Sequence, residues 1–274
     1  MNKITSRLAT LVLAGTLTAS VTISCNQTTK DSNNQVQDST ALAESTGSIV
    51  VNPLAHAKEF PGATLTVSSI TSEKVGSDSA KVTIKYDVSN FNLTDQTEHE
   101  HHMANSAEGQ HIHFILDNTP YVALYKPEHS FTLPINSEHY ILSFLSRSFH
   151  ESIKTEDASK LIKFKVNADG AIEEQTTPTE PSVFYSRPKG EYKGADTEAL
   201  LLDFFIANTT LEATGNKVKA EINGQEFLLD QWVPYEILNF PKGEGTIRLT
   251  LVDKDGNALT GDNVSVERTF SVLD

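Results

Sequence analysis

Apolar and polar residues alternate with a period of two along most of the chain after residue 60. The cleanest case is 81–88, where Val82, Ile84, Tyr86 and Val88 interleave with Lys81, Thr83, Lys85 and Asp87. A period of two sends one set of side chains to each face of a strand. The same pattern runs through 63–67 and 111–117, and shorter extended stretches cover 121–125, 129–133, 140–145 and 161–166. A second series begins with the apolar run 200–206 and the alternating 217–222. Asn223-Gly224 then gives a strong hairpin signal, and 227–229, 232–238, 246–252 and 264–272 follow as strands. No segment sustains a 3.6-residue period, apart from a turn around Asp157. Short strands with turns every ten residues or so predict an all-β protein of antiparallel, immunoglobulin-like sandwiches.

The two series read as one unit used twice. Asp87-Val88-Ser89-Asn90-Phe91-Asn92-Leu93 aligns with Phe205-Ile206-Ala207-Asn208-Thr209-Thr210-Leu211. His111-Ile112-His113-Phe114-Ile115-Leu116-Asp117-Asn118 aligns with Lys217-Val218-Lys219-Ala220-Glu221-Ile222-Asn223-Gly224, Tyr121 with Phe227, and Leu133-Pro134 with Phe240-Pro241. Between the copies, Gly170, Glu173-Glu174, Pro178 and Pro181 mark a polar linker. The expected organisation is a first sandwich over 58–168, a linker over 169–181 and a second sandwich over 182–274. The second is expected to fold alone.

The N-terminus has a different composition. Lys3 and Arg7 precede a mostly apolar stretch, 8–21, of the length of an export signal. It ends at Val21-Thr22-Ile23-Ser24-Cys25, which resembles the lipobox of bacterial lipoproteins, with Thr22 where that motif usually has leucine. The resemblance implies removal of 1–24, lipidation of Cys25, and a membrane partner through that lipid. Cys25 is the chain's single cysteine, so no internal disulfide can form and stability must come from apolar burial. Residues 25–57 are rich in Asn, Gln, Ser and Thr and read as a flexible tether. The net charge of −14 argues against nucleic acid and against docking on anionic lipid.

Histidine is the chemical signal. The chain has nine. His99, His101 and His102 sit in one loop with Met103, and His111 and His113 sit on the following strand. Ile112, Phe114 and Leu116 take one face of that strand as core, and His111, His113 and Ile115 take the other. The two imidazoles are then about 7 Å apart along the strand, two residues' rise. Neutral imidazole is a common ligand for zinc and copper. The candidate ligands are His111, His113, His101, His102, Met103 and His150. His56, His129 and His139 read as ordinary surface residues. The second copy carries Lys217 and Lys219 in place of the strand histidines, so the strand does not need histidine to fold; lysine there also reads as plain solvent exposure.

Other stretches carry less. Arg147, with Ser146 and Ser148, is a candidate anion or carboxylate site. The same stretch lacks a Gly-X-Ser-X-Gly elbow, which argues against a serine hydrolase, and no other catalytic arrangement points to an enzyme. Asp253-Lys254-Asp255-Gly256-Asn257 opens like a calcium loop, but the twelfth position is Val264, so it reads as a turn. Residues 185–194 form a basic, aromatic stretch, read as the opening loop of the second sandwich or a site for an acidic partner or glycan.

Three stretches together resemble a family of two-domain Bacteroidetes lipoproteins often labelled "phosphopeptide-binding protein". They are Gly109-Gln110-His111-Ile112-His113-Phe114-Ile115-Leu116-Asp117, Leu145-Ser146-Arg147-Ser148-Phe149-His150-Glu151-Ser152, and Phe184-Tyr185-Ser186-Arg187-Pro188-Lys189-Gly190-Glu191-Tyr192. The His-Ile-His strand is also similar to a small periplasmic domain of unknown function. The expectation is a non-enzymatic lipoprotein of the cell envelope, anchored at the outer membrane, whose first domain takes copper or zinc. The alternative is a protein- or glycan-interaction or adhesion module with no small ligand, which includes the phosphopeptide-binding label of the resembled family.

Overall fold

The alternating runs become two-faced strands, each burying its apolar face against a second sheet. The computed structural model describes residues 47–55, 57–98 and 103–274. Cys25, His56, His99, His101 and His102 lie outside the described residues. The strands are β1 (Val50–Pro53), β2 (Thr64–Val75), β3 (Ser79–Ser89), β4 (His111–Leu116), β5 (Val122–Leu124), β6 (Glu128–Pro134), β7 (Ser137–Ser146), β8 (Ser159–Val166) and β9 (Ile172–Thr176). They continue with β10 (Ser182–Arg187), β11 (Gly190–Tyr192), β12 (Ala199–Ala207), β13 (Lys217–Ile222), β14 (Gln225–Leu229), β15 (Tyr235–Leu238), β16 (Gly243–Val252) and β17 (Ser265–Val272).

The first sandwich packs the sheet β2-β3-β6 on the sheet β5-β4-β7-β8-β9, and the second packs β1-β15-β12-β10 on β11-β17-β16-β13-β14. Val82, Ile84 and Tyr86 meet Ile112 and Phe114 in the first core; Val218, Ala220 and Ile222 are in the second. The likeness of the copies extends to backbone. Asn90 and Asn208 both have positive φ, as do Asp117-Asn118 and Asn223-Gly224. The pairing β4–β7 puts His111 opposite Ser146, and β13–β16 puts Lys217 opposite Val252.

Three segments differ from the sequence reading. The tether ends earlier than residue 57, because Val50–Pro53 pairs with β15 at the edge of the second sandwich. Such a short strand lacks the length for a visible alternation. The polar linker contains β9, which pairs with β8 through Val166 and Ile172. The stretch 185–194 is not a loop, since it supplies the end of β10 and all of β11.

A third apolar cluster joins the two sandwiches. Ile115, Tyr121, Leu142, Phe144 and Leu161 of the first pack on Phe184 and Phe205 of the second. Phe144 and Phe205 stack with centroids 5.2 Å apart. Lys154 Nζ and Asp203 Oδ1, both buried, pair at 2.8 Å across this junction. Asn118 Nδ2 donates to the Val183 carbonyl at 2.8 Å. Strands β4, β10 and β12 are therefore buried on both faces. That explains why 200–206 is apolar nearly throughout, as strands covered on both sides tend to be.

Candidate metal centre

The second face of β4 is covered by the second sandwich, and there the histidines meet. His111 and His113 are fully buried and His150 is 8 % exposed. Among the described residues, their ligand nitrogens lie within 4.8 Å of one another. His113 Nε2 is 2.9 Å from His111 Nε2, and His150 Nδ1 is 3.1 Å from the same atom. Tetrahedral zinc with Zn–N bonds near 2.05 Å separates its nitrogens by about 3.3 Å. Two of the three separations are within a few tenths of an ångström of that spacing, and the third pair, His113 and His150, within 4.8 Å, would have to close by up to about 1.5 Å to reach it.

The outer edges of two rings are already held. His111 Nδ1 donates to the Gly109 carbonyl at 2.7 Å. A carbonyl can only accept, so this bond fixes the tautomer and leaves Nε2 with its lone pair facing inward. His113 Nδ1 lies 3.1 Å from Ser186 Oγ, on β10 of the second sandwich. Metal-bound imidazoles are commonly aligned through their other ring nitrogen by such carbonyl or polar partners. Tyr121 stacks on His113 with centroids 3.6 Å apart, and its hydroxyl lies 3.2 Å from His150 Nδ1.

Gly109 is required for this alignment. Its φ is +86°, and a Cβ there would lie 2.2 Å from the Thr94 carbonyl oxygen. Only glycine lets the loop approach that closely while aiming its own carbonyl at His111.

His150 reaches the site from a strained turn. It sits at φ +71°, a conformation uncommon for residues that carry a Cβ, although histidine adopts it more readily than most. The 106-residue offset that relates His111 to Lys217 carries His150 to Gly256, whose φ is +85°. The two turns share their hydrogen bonds: His150 N to Arg147 O at 3.0 Å, and Gly256 N to Asp253 O at 3.1 Å. Where the second copy uses the expected glycine, the first places an imidazole. An outlier with a side chain aimed at two others is an observation that points to function.

The electrostatics favour neutral rings. Burial lowers His111 to about 4, with Arg187 and Lys189 adding to the effect and the Gly109 carbonyl opposing it. Burial, the other two imidazoles and both cations hold His113 well below its ordinary value. His150 is pushed down by burial and then by Arg187, His111 and Lys189. At neutral pH all three can offer lone pairs without first losing a proton. Without a cation, His111 Nε2 has one lone pair facing two nitrogens, and only one of these can donate to it well. An ion among them takes all three lone pairs at once. A donor set of imidazoles with no carboxylate suits zinc or copper and not calcium or magnesium.

Met103 is buried, and among the described His, Cys, Asp and Glu residues the group that converges is His111, His113 and His150; His101 and His102 lie outside the described residues. Arg147 turns its guanidinium inward. Its Nε and Nη2 donate to the Lys58 carbonyl at 3.1 and 2.7 Å and its Nη1 to the Ser152 carbonyl at 3.2 Å. Nη1 also pairs with Glu151 Oε1 at 3.0 Å, so the guanidinium is spent inside the protein. Ser146 Oγ donates to the Arg147 carbonyl, and Ser148 Oγ accepts from Thr97 N, which ties down the loop before β4. His139 is not a surface residue: it is 8 % exposed and its Nδ1 lies 2.6 Å from Asp117 Oδ2. The turn after Asp253 uses its carboxylate on the amides of Asp255 and Asn257.

Sequence reasoning missed Tyr121, Ser186, Arg187 and Lys189 as neighbours of the histidines. Arg187 Cζ is 5.4 Å and Lys189 Nζ 4.1 Å from the Tyr121 ring centroid. The only signal was that 185–194 is locally basic in an acidic chain.

No known protein family matches the chain, and no curated protein does so. Among solved structures it is similar to the fibronectin(III)-like modules of CbhA from Clostridium thermocellum, at 12 % identity over 77 % of this chain and 94 % of that one, with a TM-score of 0.27. It is also similar to the two tandem V-type regions of VCBP3, a v-region-containing chitin binding protein, at 9 % identity over 77 % and 99 % of the two chains and a TM-score of 0.24. The fold is all-β, built of immunoglobulin-like sandwiches, and a buried histidine triad that can hold a metal ion lies where they meet.

Proposed function

We propose that this chain is a non-enzymatic lipoprotein of the cell envelope that holds a copper or zinc ion between its two sandwiches. One observation carries the metal reading: three neutral imidazole nitrogens converge within 4.8 Å, with His111 locked in the ligating tautomer by Gly109. The anchor rests on the apolar stretch before Cys25. No helix among the described residues is long and apolar enough to cross a membrane. Because Ser186 of the second sandwich aligns His113, the site belongs to both domains and metal binding is a property of the full chain.

Titration calorimetry of the chelator-treated full chain with Zn(II), and with Cu(I) or Cu(II), tests this reading. One ion per chain is expected, with affinity lost in the variant His111→Ala with His113→Ala and in His150→Ala. Equal binding by wild type and variants would refute the triad. No binding would leave an interaction module without a small ligand as the better account, with protein or glycan as its partner.

A further inference from the structure

Beside the triad, on the far side of Ser186, lies a small pocket lined by Tyr185, Ser186, Lys189, Arg268 and Thr269, with Pro120 and Pro188 at its wall. Its groups are mismatched to one another. The Tyr185 hydroxyl is buried without a hydrogen-bond partner, as are Nε and Nη2 of Arg268. The Arg268 guanidinium sits 5.9 Å from the Tyr185 ring centroid. Arg187, two residues along β10, also has a buried Nε with no partner. In a chain of net charge −14, none of Arg187, Lys189 and Arg268 is in an ion pair with a carboxylate among the described residues. The unpaired atoms on the pocket wall are the Tyr185 hydroxyl and two guanidinium nitrogens of Arg268, and all three can donate.

Buried unpaired donors are rare in folded proteins and point to a guest that supplies acceptors. A guest for a hydroxyl and guanidinium donors, with Lys189 also on the wall, is one that only accepts and carries negative charge. Size narrows the class. The pocket volume of ≈ 20 Å³ exceeds the roughly 10–15 Å³ that one water needs. It is too small for a phosphoryl group with its full set of oxygens. We infer that the second sandwich binds a small inorganic anion of chloride size between Tyr185 and Arg268, next to the histidine triad.

The anion would offset the cations that face the imidazoles, so it should tighten metal binding where a metal is bound. The site itself does not depend on the metal reading and is tested without metal. Thermal melts of the chelator-treated full chain are run at constant ionic strength, with sodium chloride replacing sodium gluconate. Chloride should raise Tm by about 2–4 °C and the effect should saturate. Chloride NMR line width should broaden on adding the protein. Arg268→Met should abolish both responses. Tyr185→Phe, which removes one donor and keeps the ring, should weaken them. The variant His111→Ala with His113→Ala should keep them, which separates this site from the triad. A wild-type Tm indifferent to chloride, or a chloride response unchanged in Arg268→Met and Tyr185→Phe, would mean that the pocket holds water only.

Discussion

Acid should unfold the metal-free protein through its buried histidines, with a steepness that counts them. The folded values of His111, His113 and His150 lie below the ordinary histidine value of 6.5, mainly because of burial. The sign follows from which state binds protons first. Above pH 6.5 the rings are neutral folded and unfolded, and stability does not depend on them. Below 6.5 the unfolded chain takes up protons while the folded rings stay neutral, so stability falls as pH falls. Each ring contributes a slope of up to about 1.4 kcal/mol per pH unit, and three together approach about 4 kcal/mol per unit near pH 5. For His111, with a folded value of about 4, the loss totals roughly 3 kcal/mol once pH reaches 4. No discount for solvent applies, because His111 is fully buried. Against a usual stability of about 5–15 kcal/mol, such a slope brings unfolding close to pH 4–5.

The groups facing the rings are Arg187, Lys189, Tyr121, Tyr125, Phe144, the Ser186 hydroxyl and the Gly109 carbonyl. None of them supplies a negative charge to hold a proton there. The assay is urea unfolding at half-unit steps from pH 7.5 to 4.5 with chelator present, comparing wild type with His111→Gln. Carboxylates and the half-buried His129 titrate alike in both, so the difference isolates one imidazole. The variant should show a slope shallower by up to about 1.4 kcal/mol per pH unit below 6.5. Added zinc should move the wild-type loss to lower pH, since metal and protons compete for the same lone pairs. Parallel wild-type and variant curves across this range would refute the reasoning.

Gly109→Ala should cost at least about 2 kcal/mol in urea unfolding, from the positive φ and the clash with Thr94, and should weaken metal binding about tenfold or more in calorimetry as the carbonyl aligning His111 moves. Lys154→Met should destabilise by about 3–5 kcal/mol, since it strands the buried Asp203 carboxylate, whereas Lys154→Met with Asp203→Leu should recover most of that loss; a denaturant double-mutant cycle reads this. Cys25→Ser should move the protein from the membrane fraction to the soluble fraction on cell fractionation, and a soluble wild type with another N-terminus would count against the anchor.

What the sequence determines by itself is local. A period of two in 81–88 and 217–222 is enough to set a two-faced strand, because alternation is a property of the backbone. The duplicated Asn90 and Asn208, and the pairs Asp117-Asn118 and Asn223-Gly224, mark the turns by their tolerance of positive φ. Strands too short or too polar to alternate, Val50–Pro53 and Ile172–Thr176, left no such trace and exist because a neighbouring edge pairs with them. The site was half legible. His111 and His113 stand out on β4, but alternation says only that they share a face, not what covers it. Lys217 and Lys219 hold the same positions on the second sandwich and are partly exposed, while their counterparts are fully buried. The difference is the second sandwich packed over β4, which removes water, pushes the imidazoles toward their neutral form and brings Ser186, Arg187 and Lys189 beside them. His150 joins through a turn whose pairing of Ser146 with Ser152 folds it back onto β4, a closure that depends on contacts distant in the chain.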